Sequence, residues 1–231
     1  MRQKLIIDFS FEGKQVVMVG GGSEAFSKVQ GFLDAGSKVL VISRNFSSGI
    51  LQLQGKNKIE LLRTEIKDGA TFLQRLNPKP DLLAVATSDH GLNAKLADYA
   101  RSQGLMVYVA DNPALSDFIL PAVSKIGEVR IAVSTGGKSP AMAKTLRERI
   151  ERLITREDLL QIELQDYMRA ILKEQVGQQK VRKGIIYKIL QDERVNESLR
   201  EGKLGKAKKE ALQIMEKLKT RENSIPEETP R

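Results

Sequence analysis

Residues 14–25 read Lys14-Gln15-Val16-Val17-Met18-Val19-Gly20-Gly21-Gly22-Ser23-Glu24-Ala25, and this stretch decides the fold. The apolar run has the length and β-branched content of a buried strand, and it stops at three glycines. Ser23 to Ala35 follows at helical spacing, with Phe26, Val29, Phe32 and Leu33 on one face. Gly36 stands where a C-cap glycine ends a helix. Lys38-Val39-Leu40-Val41-Ile42-Ser43 is then a second apolar strand. Strand, glycine turn, helix and strand make one β-α-β unit with a right-handed crossover.

The alternation continues outward. Ile59–Arg63 reads as a weaker strand, and Asp81–Thr87 as a strong one introduced by Pro78 and Pro80. Leu92–Ser102 reads as a helix, and Met106–Ala110 as a strand ending at Asp111. This pattern predicts an α/β fold, a Rossmann-type doubly wound parallel sheet over residues 1–113. After Asn112-Pro113 the pattern changes. Phe118–Val123 and Val129–Ser134 read as two strands around a hairpin-like turn, Lys125–Glu128. Thr135-Gly136-Gly137-Lys138-Ser139-Pro140 then leads into a helix from about Ala141 to Leu153. Residues 114–150 are thus expected to form a small α+β segment. Two strands are too few for an independently stable sheet, so pairing with a second chain is expected there. Residues 151–219 read as a helical domain broken at Gly177, Gly184, Gly202 and Gly205. The tail 220–231 has two prolines and no apolar periodicity, and disorder is expected.

Composition narrows the chemistry. The chain has 231 residues, 41% hydrophobic and 29% charged, which is ordinary for a globular protein. It has no cysteine, which excludes disulfides, thiolate nucleophiles and Cys-based zinc or iron–sulfur sites. An acidic residue at Asp8 comes too early for a signal peptide, and no apolar run could cross a bilayer, so a soluble cytoplasmic protein is expected. The 38 Lys+Arg against 29 Asp+Glu give a net charge of +9, a field that gathers anions. Much of the excess lies in the helical C-terminal third, interleaved with Glu and Asp, and there is no tryptophan for base stacking. A phosphate or polycarboxylate partner is therefore expected rather than nucleic acid.

Gly20-Gly21-Gly22-Ser23-Glu24-Ala25 matches the G-x-G-x-x-A dinucleotide fingerprint. Gly20 allows the tight turn, Gly22 lets backbone approach a pyrophosphate, and Ala25 permits close helix–strand packing. The helix N-terminus adds unpaired N–H groups and partial positive charge. A tight strand–helix turn alone would also use these glycines, but their place at the head of a β-α-β unit favours a nucleotide. The acid usual after the second strand is replaced by Ser43-Arg44-Asn45. Arg44 suits the 2′-phosphate of NADP, or stacking on adenine with Ser43 or Asn45 at the ribose; the residues leave both open. Thr87-Ser88-Asp89 lies at the end of a strong strand, either edging the nicotinamide half or capping the next helix. His90, the sole histidine, has the titration range of a general base, although a lone loop histidine is commonly just solvated. Asp111 ends an apolar strand at the same sheet edge and reads as a general acid/base or as the turn-former of Asp111-Asn112-Pro113.

Several pieces in order carry a resemblance. They are Val16–Gly22 with Lys28, Ala86-Thr87-Ser88-Asp89 with Asn93, Val107–Pro113, Asp117–Ala122, and Ile131–Pro140 running into Leu146-Arg147-Glu148. Over about residues 5–150 the chain resembles the precorrin-2 dehydrogenase family, including its bifunctional members that also insert iron into sirohydrochlorin. The segment Ser134-Thr135-Gly136-Gly137-Lys138-Ser139-Pro140 is its most specific element.

The resemblance implies that precorrin-2 loses a hydride to NAD⁺ and a proton to the protein, giving sirohydrochlorin for siroheme biosynthesis. It implies Asp111 as general base, and Gly20, Gly22, Ser23, Glu24, Arg44, Asn45 and Thr87 as cofactor contacts, with NAD as the oxidant. It places Thr135 at the tetrapyrrole pocket, with Ser134, Gly136, Lys138 and Ser139 beside it as substrate contacts, and it implies an interwoven homodimer. A polycarboxylate substrate suits Lys138, Lys144, Arg147 and Arg149. No protein metal-ligand set is predicted; chelatase activity stays open, with any metal held by Asp111 and the substrate's own nitrogens. A reading of a different class is an NAD(P)-sensing regulatory module without tetrapyrrole chemistry, which would leave Ser134–Pro140 as an unexplained loop.

Overall fold

The computed structural model describes residues 5–66 and 69–222. The chain divides into two compact units, one through Leu120 and one from Pro121. The first contains β1 (Gln15–Val19), α1 (Ser23–Asp34), β2 (Lys38–Ser43), α2 (Ser48–Gly55), β3 (Glu60–Arg63), α3 (Gly69–Gln74), β4 (Leu82–Val85), α4 (His90–Ser102) and β5 (Met106–Val109). A single 3-10 turn, Pro113–Leu115, follows.

All five strands are parallel, in the order β3-β2-β1-β4-β5. Val16 pairs with Val39 on one side and Leu82 on the other. Helices cover both faces, which is why the strands are continuous apolar runs rather than alternating ones. On one face Val16, Met18, Val39, Val41, Leu82 and Ala84 pack with Ala25, Val29 and Phe32 of α1. On the other, Val17, Val19, Ile42, Leu83 and Val85 meet Leu96, Ala97 and Ala100 of α4. Each large side chain fully buried this way stabilises the fold by about 1.5–3 kcal/mol. At the sheet's N-terminal edge the Asp81 carboxylate accepts from the Gln15 amide (2.8 Å) and from Lys14 Nζ (3.1 Å). Those two bonds hold its pKa below the ordinary carboxylate value. The strand order reverses between β1 and β4, which opens a crevice at their C-terminal ends.

The second unit opens with an antiparallel hairpin, β6 (Ala122–Ile126) and β7 (Val129–Val133). It continues with α5 (Pro140–Glu151), α6 (Arg156–Gln175), α7 (Gln179–Gln191), α8 (Glu193–Arg200) and α9 (Leu204–Glu222). Thr155 and Asp158 cap α6 reciprocally, so the first free amides of that helix are satisfied. The helices α6 to α9 share a core of Leu164, Met168, Leu172, Ile185, Ile189, Val195, Leu199, Ala207, Ala211 and Met215.

Several elements differ from the sequence expectation. Phe118–Pro121 is not strand; the Phe118 ring stacks on Tyr108 at 5.7 Å and adds to the core of the first unit. The strand begins instead at Ala122, and the turn tightens to Gly127-Glu128, with Gly127 at φ +56°. Gly184 and Gly205 lie inside α7 and α9 and break neither helix. The break falls at Asp192, whose carboxylate caps α8 by accepting from the Arg194 and Val195 amides. Helix α9 runs on to Glu222, past Thr220 where disorder was expected to begin, and 223–231 lie outside the described residues. Among the described residues no helix is long and apolar enough to cross a membrane.

Candidate active site

The crevice at the β1/β4 switch is built from the glycine turn outward. Gly20 has φ +123°, and a Cβ there would stand 2.2 Å from the Ala86 carbonyl oxygen just beyond β4. Only glycine fits between those two strand ends. Gly21, the variable position of the fingerprint, is equally constrained: its Cβ would fall 2.1 Å from the Asn45 carbonyl oxygen. Its own carbonyl accepts from the Ser47 amide at 2.7 Å, tying the turn to the loop after β2. The fingerprint gives Gly21 no role; the signal was the middle glycine of an unbroken run of three.

Gly22 is different. It is the N-cap of α1, has ordinary extended backbone, and nothing lies within 4 Å of a Cβ added there. It offers α1 no side-chain cap, so the amides of the first turn, including those of Ser23 and Glu24, face an open cradle that a side chain would fill. The open space and the uncapped amides suit a dinucleotide pyrophosphate. The Glu24 carboxylate pairs with Lys28 at 3.2 Å, and the Lys28 ammonium lies 6.0 Å from the Tyr108 ring centre. Burial alone would lower the Lys28 pKa, but Tyr108 and Glu24 together outweigh it and the net shift is upward. Burial likewise pushes the Tyr108 phenol up. Lys28 therefore keeps its charge and holds Glu24 along the helix.

At the end of β2, Arg44 is exposed and its Nη1 lies 3.3 Å from Glu65 Oε1, just past β3. Arg63 donates to the Arg44 carbonyl oxygen at 2.7 Å and lies over the Phe46 ring at 5.1 Å. Asn45 is exposed beside them and contributes its carbonyl to the close approach at Gly21.

At the ends of β4 and β5 a hydrogen-bonded chain forms. Thr87 Oγ1 donates to Asn93 Oδ1 at 2.5 Å and accepts from the Asp89 amide at 3.1 Å. Asn93, buried on α4, donates through Nδ2 to the Thr87 carbonyl (3.1 Å) and to Asp111 Oδ1 (3.2 Å). The other Asp111 oxygen meets His90 Nδ1. The Asp89 side chain accepts from the Leu92 amide at 2.9 Å and caps α4, which is one of the two roles open to it in the sequence. Asp111 is 27% exposed and His90 80%, so the imidazole is solvated on one side and bonded to the carboxylate on the other. An imidazole held through Nδ1 by a carboxylate is fixed in orientation and can share a proton with it. Asn93 stood in the sequence only as part of the resemblance; its signal is an amide at a core position of an amphipathic helix.

In the second unit the loop before α5 is bonded within itself. Thr135 Oγ1 accepts from the Ser139 amide and donates to the Ser139 carbonyl, both at 3.0 Å. Ser139 Oγ caps α5 by accepting from the Met142 amide, and Ser134 Oγ accepts from the Gly136 amide, each at 3.2 Å. Lys138, Lys144 and Arg149 are exposed. Arg147 is not a free cation: its guanidinium is bonded to Ser124, Glu148 and Glu151 at 3.0–3.1 Å and is mostly buried. It fastens α5 to the hairpin. Among the described residues no group of three or more His, Asp or Glu side chains could hold a metal ion.

Comparison with known proteins places this geometry. Residues 7–122 match a family described as putative NAD(P)-binding, and residues 127–153 match one described as sirohaem biosynthesis protein central. A precorrin-2 dehydrogenase of Methanosarcina barkeri is 34% identical over 192 residues, 83% of this chain and 84% of that protein. A siroheme synthase of Methylococcus capsulatus is 41% identical over 138 residues, but the match spans only 28% of that longer protein. The solved structure of SirC, precorrin-2 dehydrogenase, superposes with a TM-score of 0.69 at 22% identity, covering 93% of this chain and all of that one, and so shares its fold. With an NAD(P)-binding family match over residues 7–122, a sirohaem-type match over 127–153 and a precorrin-2 dehydrogenase matched over most of both chains, the chain belongs to the precorrin-2 dehydrogenase family.

Proposed function

We propose that this chain oxidises precorrin-2 to sirohydrochlorin with NAD⁺, Asp111 acting as the general base. The observation that carries the reading is one line of contacts: Gly20 abuts Ala86, Thr87 bonds Asn93, and Asn93 bonds Asp111. The pyrophosphate cradle and the carboxylate thus belong to one sheet edge. Gly20, Gly22, Ser23 and Glu24 would hold the pyrophosphate, Arg44 and Asn45 the adenosine, and Thr87 the nicotinamide side. NAD⁺ bound there supplies the acceptor for the hydride that precorrin-2 loses.

The remaining proton needs a base, and the protein's own groups provide it. Asn93 fixes Asp111 Oδ1, which leaves Oδ2 directed to His90. With Asp111 ionised, His90 Nδ1–H donates to Oδ2 and orients the carboxylate, and the proton that Asp111 takes is released to water at its exposed part. On the second unit, Lys138 is the charged group assigned to the substrate's carboxylates. Ser134, Thr135, Gly136 and Ser139 give its loop a fixed shape around that contact.

The test is anaerobic oxidation of precorrin-2 with NAD⁺, followed by sirohydrochlorin absorbance, for wild type and Asp111→Asn. Turnover that falls by about 10²–10⁴-fold in the variant, with cofactor binding retained, is expected for a lost general base. Cofactor binding without any turnover in the wild type would leave the chain as a nucleotide-binding module. A homodimer through the hairpin is part of the same proposal. Val123 is 55% exposed on the hairpin face opposite Ser124, whose hydroxyl bonds Arg147 of α5, and a two-stranded sheet has unpaired edges on both sides. Sedimentation is expected to give twice the 25.7 kDa chain mass; a monomer at working concentration would overturn it.

A further inference from the structure

The corner where β2 ends carries a contradiction that the fold resolves. In doubly wound domains this corner meets the adenosine ribose, and an acidic residue there selects NAD while an arginine admits the 2′-phosphate of NADP. By sequence the chain has the arginine and lacks the acid: Ser43 ends the strand and Arg44 follows. In space an acid is nonetheless present. β3 runs parallel to β2, the Thr64 amide bonds the Ser43 carbonyl at 3.1 Å, and the chain then brings Glu65 to within 3.3 Å of the Arg44 guanidinium.

We propose that Glu65 selects the nicotinamide cofactor, pairing with Arg44 and holding a negative charge at the corner that NADP would need for its 2′-phosphate. The inference rests on the first unit binding a nicotinamide nucleotide and deepens that reading. Among the described residues, two cations, Arg44 and Arg63, and one anion, Glu65, meet here. Arg63 is turned to the main chain, donating to the Arg44 carbonyl and lying over Phe46, which fixes the backbone from which Arg44 projects. With Glu65 in place, Arg44 has a partner and an incoming phosphate meets a carboxylate. With Glu65 neutral, Arg44 loses the carboxylate it pairs with and is free to form the bidentate contact that suits phosphate. The pair is exposed, so its contribution to stability is small. Its effect is on which ligand charge the corner accepts.

The experiment is a binding titration of NADH and NADPH by the rise in nicotinamide fluorescence, without any tetrapyrrole. Wild type, Glu65→Gln, Arg44→Ala and the double variant are compared at low and high salt. Wild type is expected to favour NADH. Glu65→Gln is expected to raise NADPH affinity about tenfold, because Arg44, no longer paired, is free to bind the 2′-phosphate in a charge-assisted hydrogen bond. NADH affinity is expected to change less than threefold. The gain should vanish in the double variant, because Arg44 is its agent, and should shrink at 1 M salt, where the Debye length is about 3 Å. A gain that survives without Arg44, an unchanged preference in Glu65→Gln, or a wild type that prefers NADPH would each overturn the proposal. A wild type that binds neither nucleotide would instead overturn the cofactor reading on which it stands.

Discussion

Two glycine turns lead into helices in this chain, and they are built on opposite plans. At Gly20 and Gly21 the neighbours dictate glycine: backbone atoms from just beyond β4 and from the loop after β2 occupy the places where the two Cβ atoms would go. At Gly136-Gly137 nothing lies within 4 Å of either added Cβ, and only the positive φ values, +65° and +84°, favour glycine. The helices that follow differ in the same sense. α1 has no side-chain cap, whereas α5 is capped by Ser139 and its loop is closed by Thr135. An uncapped first turn keeps its amides for an external anion. A capped one has satisfied its amide internally, through Ser139, and offers less to an external anion. A run of glycine before a helix is therefore no measure of an anion site until its cap is known.

This contrast can be tested by exchanging the roles of the two turns. Gly20→Ala drives a Cβ into the Ala86 carbonyl, and a loss of about 3 kcal/mol or more in urea unfolding is expected from so rigid a clash. Gly136→Ala meets only the left-handed backbone penalty and should cost about 1–2 kcal/mol. Equal losses would erase the distinction. The smaller and sharper test crosses stability with binding. Gly22→Ala should lower nucleotide affinity by about tenfold, since the methyl enters the open cradle, with unfolding changed by less than about 1 kcal/mol. Ser139→Ala should do the reverse, costing about 1 kcal/mol of stability through the lost cap while nucleotide affinity holds. If Gly22→Ala bound nucleotide as well as wild type, the cradle would lie elsewhere.

The first unit was legible because its central strands are buried on both faces. Val16–Val19 and Leu82–Val85 have no polar position to blur the period, and each is bounded by glycine or proline. α2 was not legible: it buries only Ile50 and carries Gly49 and Gly55, so no apolar face marks it. Phe118–Pro121 misled because an apolar run does not say where it packs; the ring of Phe118 belongs to Tyr108, and Pro121 has no N–H for a strand ladder. Gly184 and Gly205 misled for a converse reason, since a glycine within a packed helix costs only about 1 kcal/mol and tertiary burial overrides it. Within the site, the glycines and Asp111 were visible as motifs. The contact between His90 and Asp111 was not, because the two are 21 residues apart and meet only where β4 and β5 end side by side. The Arg44–Glu65 pair was hidden in the same way.

The tight approach of Gly20 to Ala86 also bears on how the domain comes together. β1 pairs with β4 rather than with the next strand but one along the chain, and Gln15 and Asp81, which bond at the far end of that pairing, are 66 residues apart. Closing so long a loop costs entropy before any contact compensates for it, and contacts of this separation are the slow ones in folding. The carbonyl that hems in Gly20 therefore arrives with the end of β4, on a chain segment synthesised well after the glycines. A nascent or truncated chain ending before Asp81 holds every residue of the fingerprint, but not the carbonyl wall that gives Gly20 its conformation.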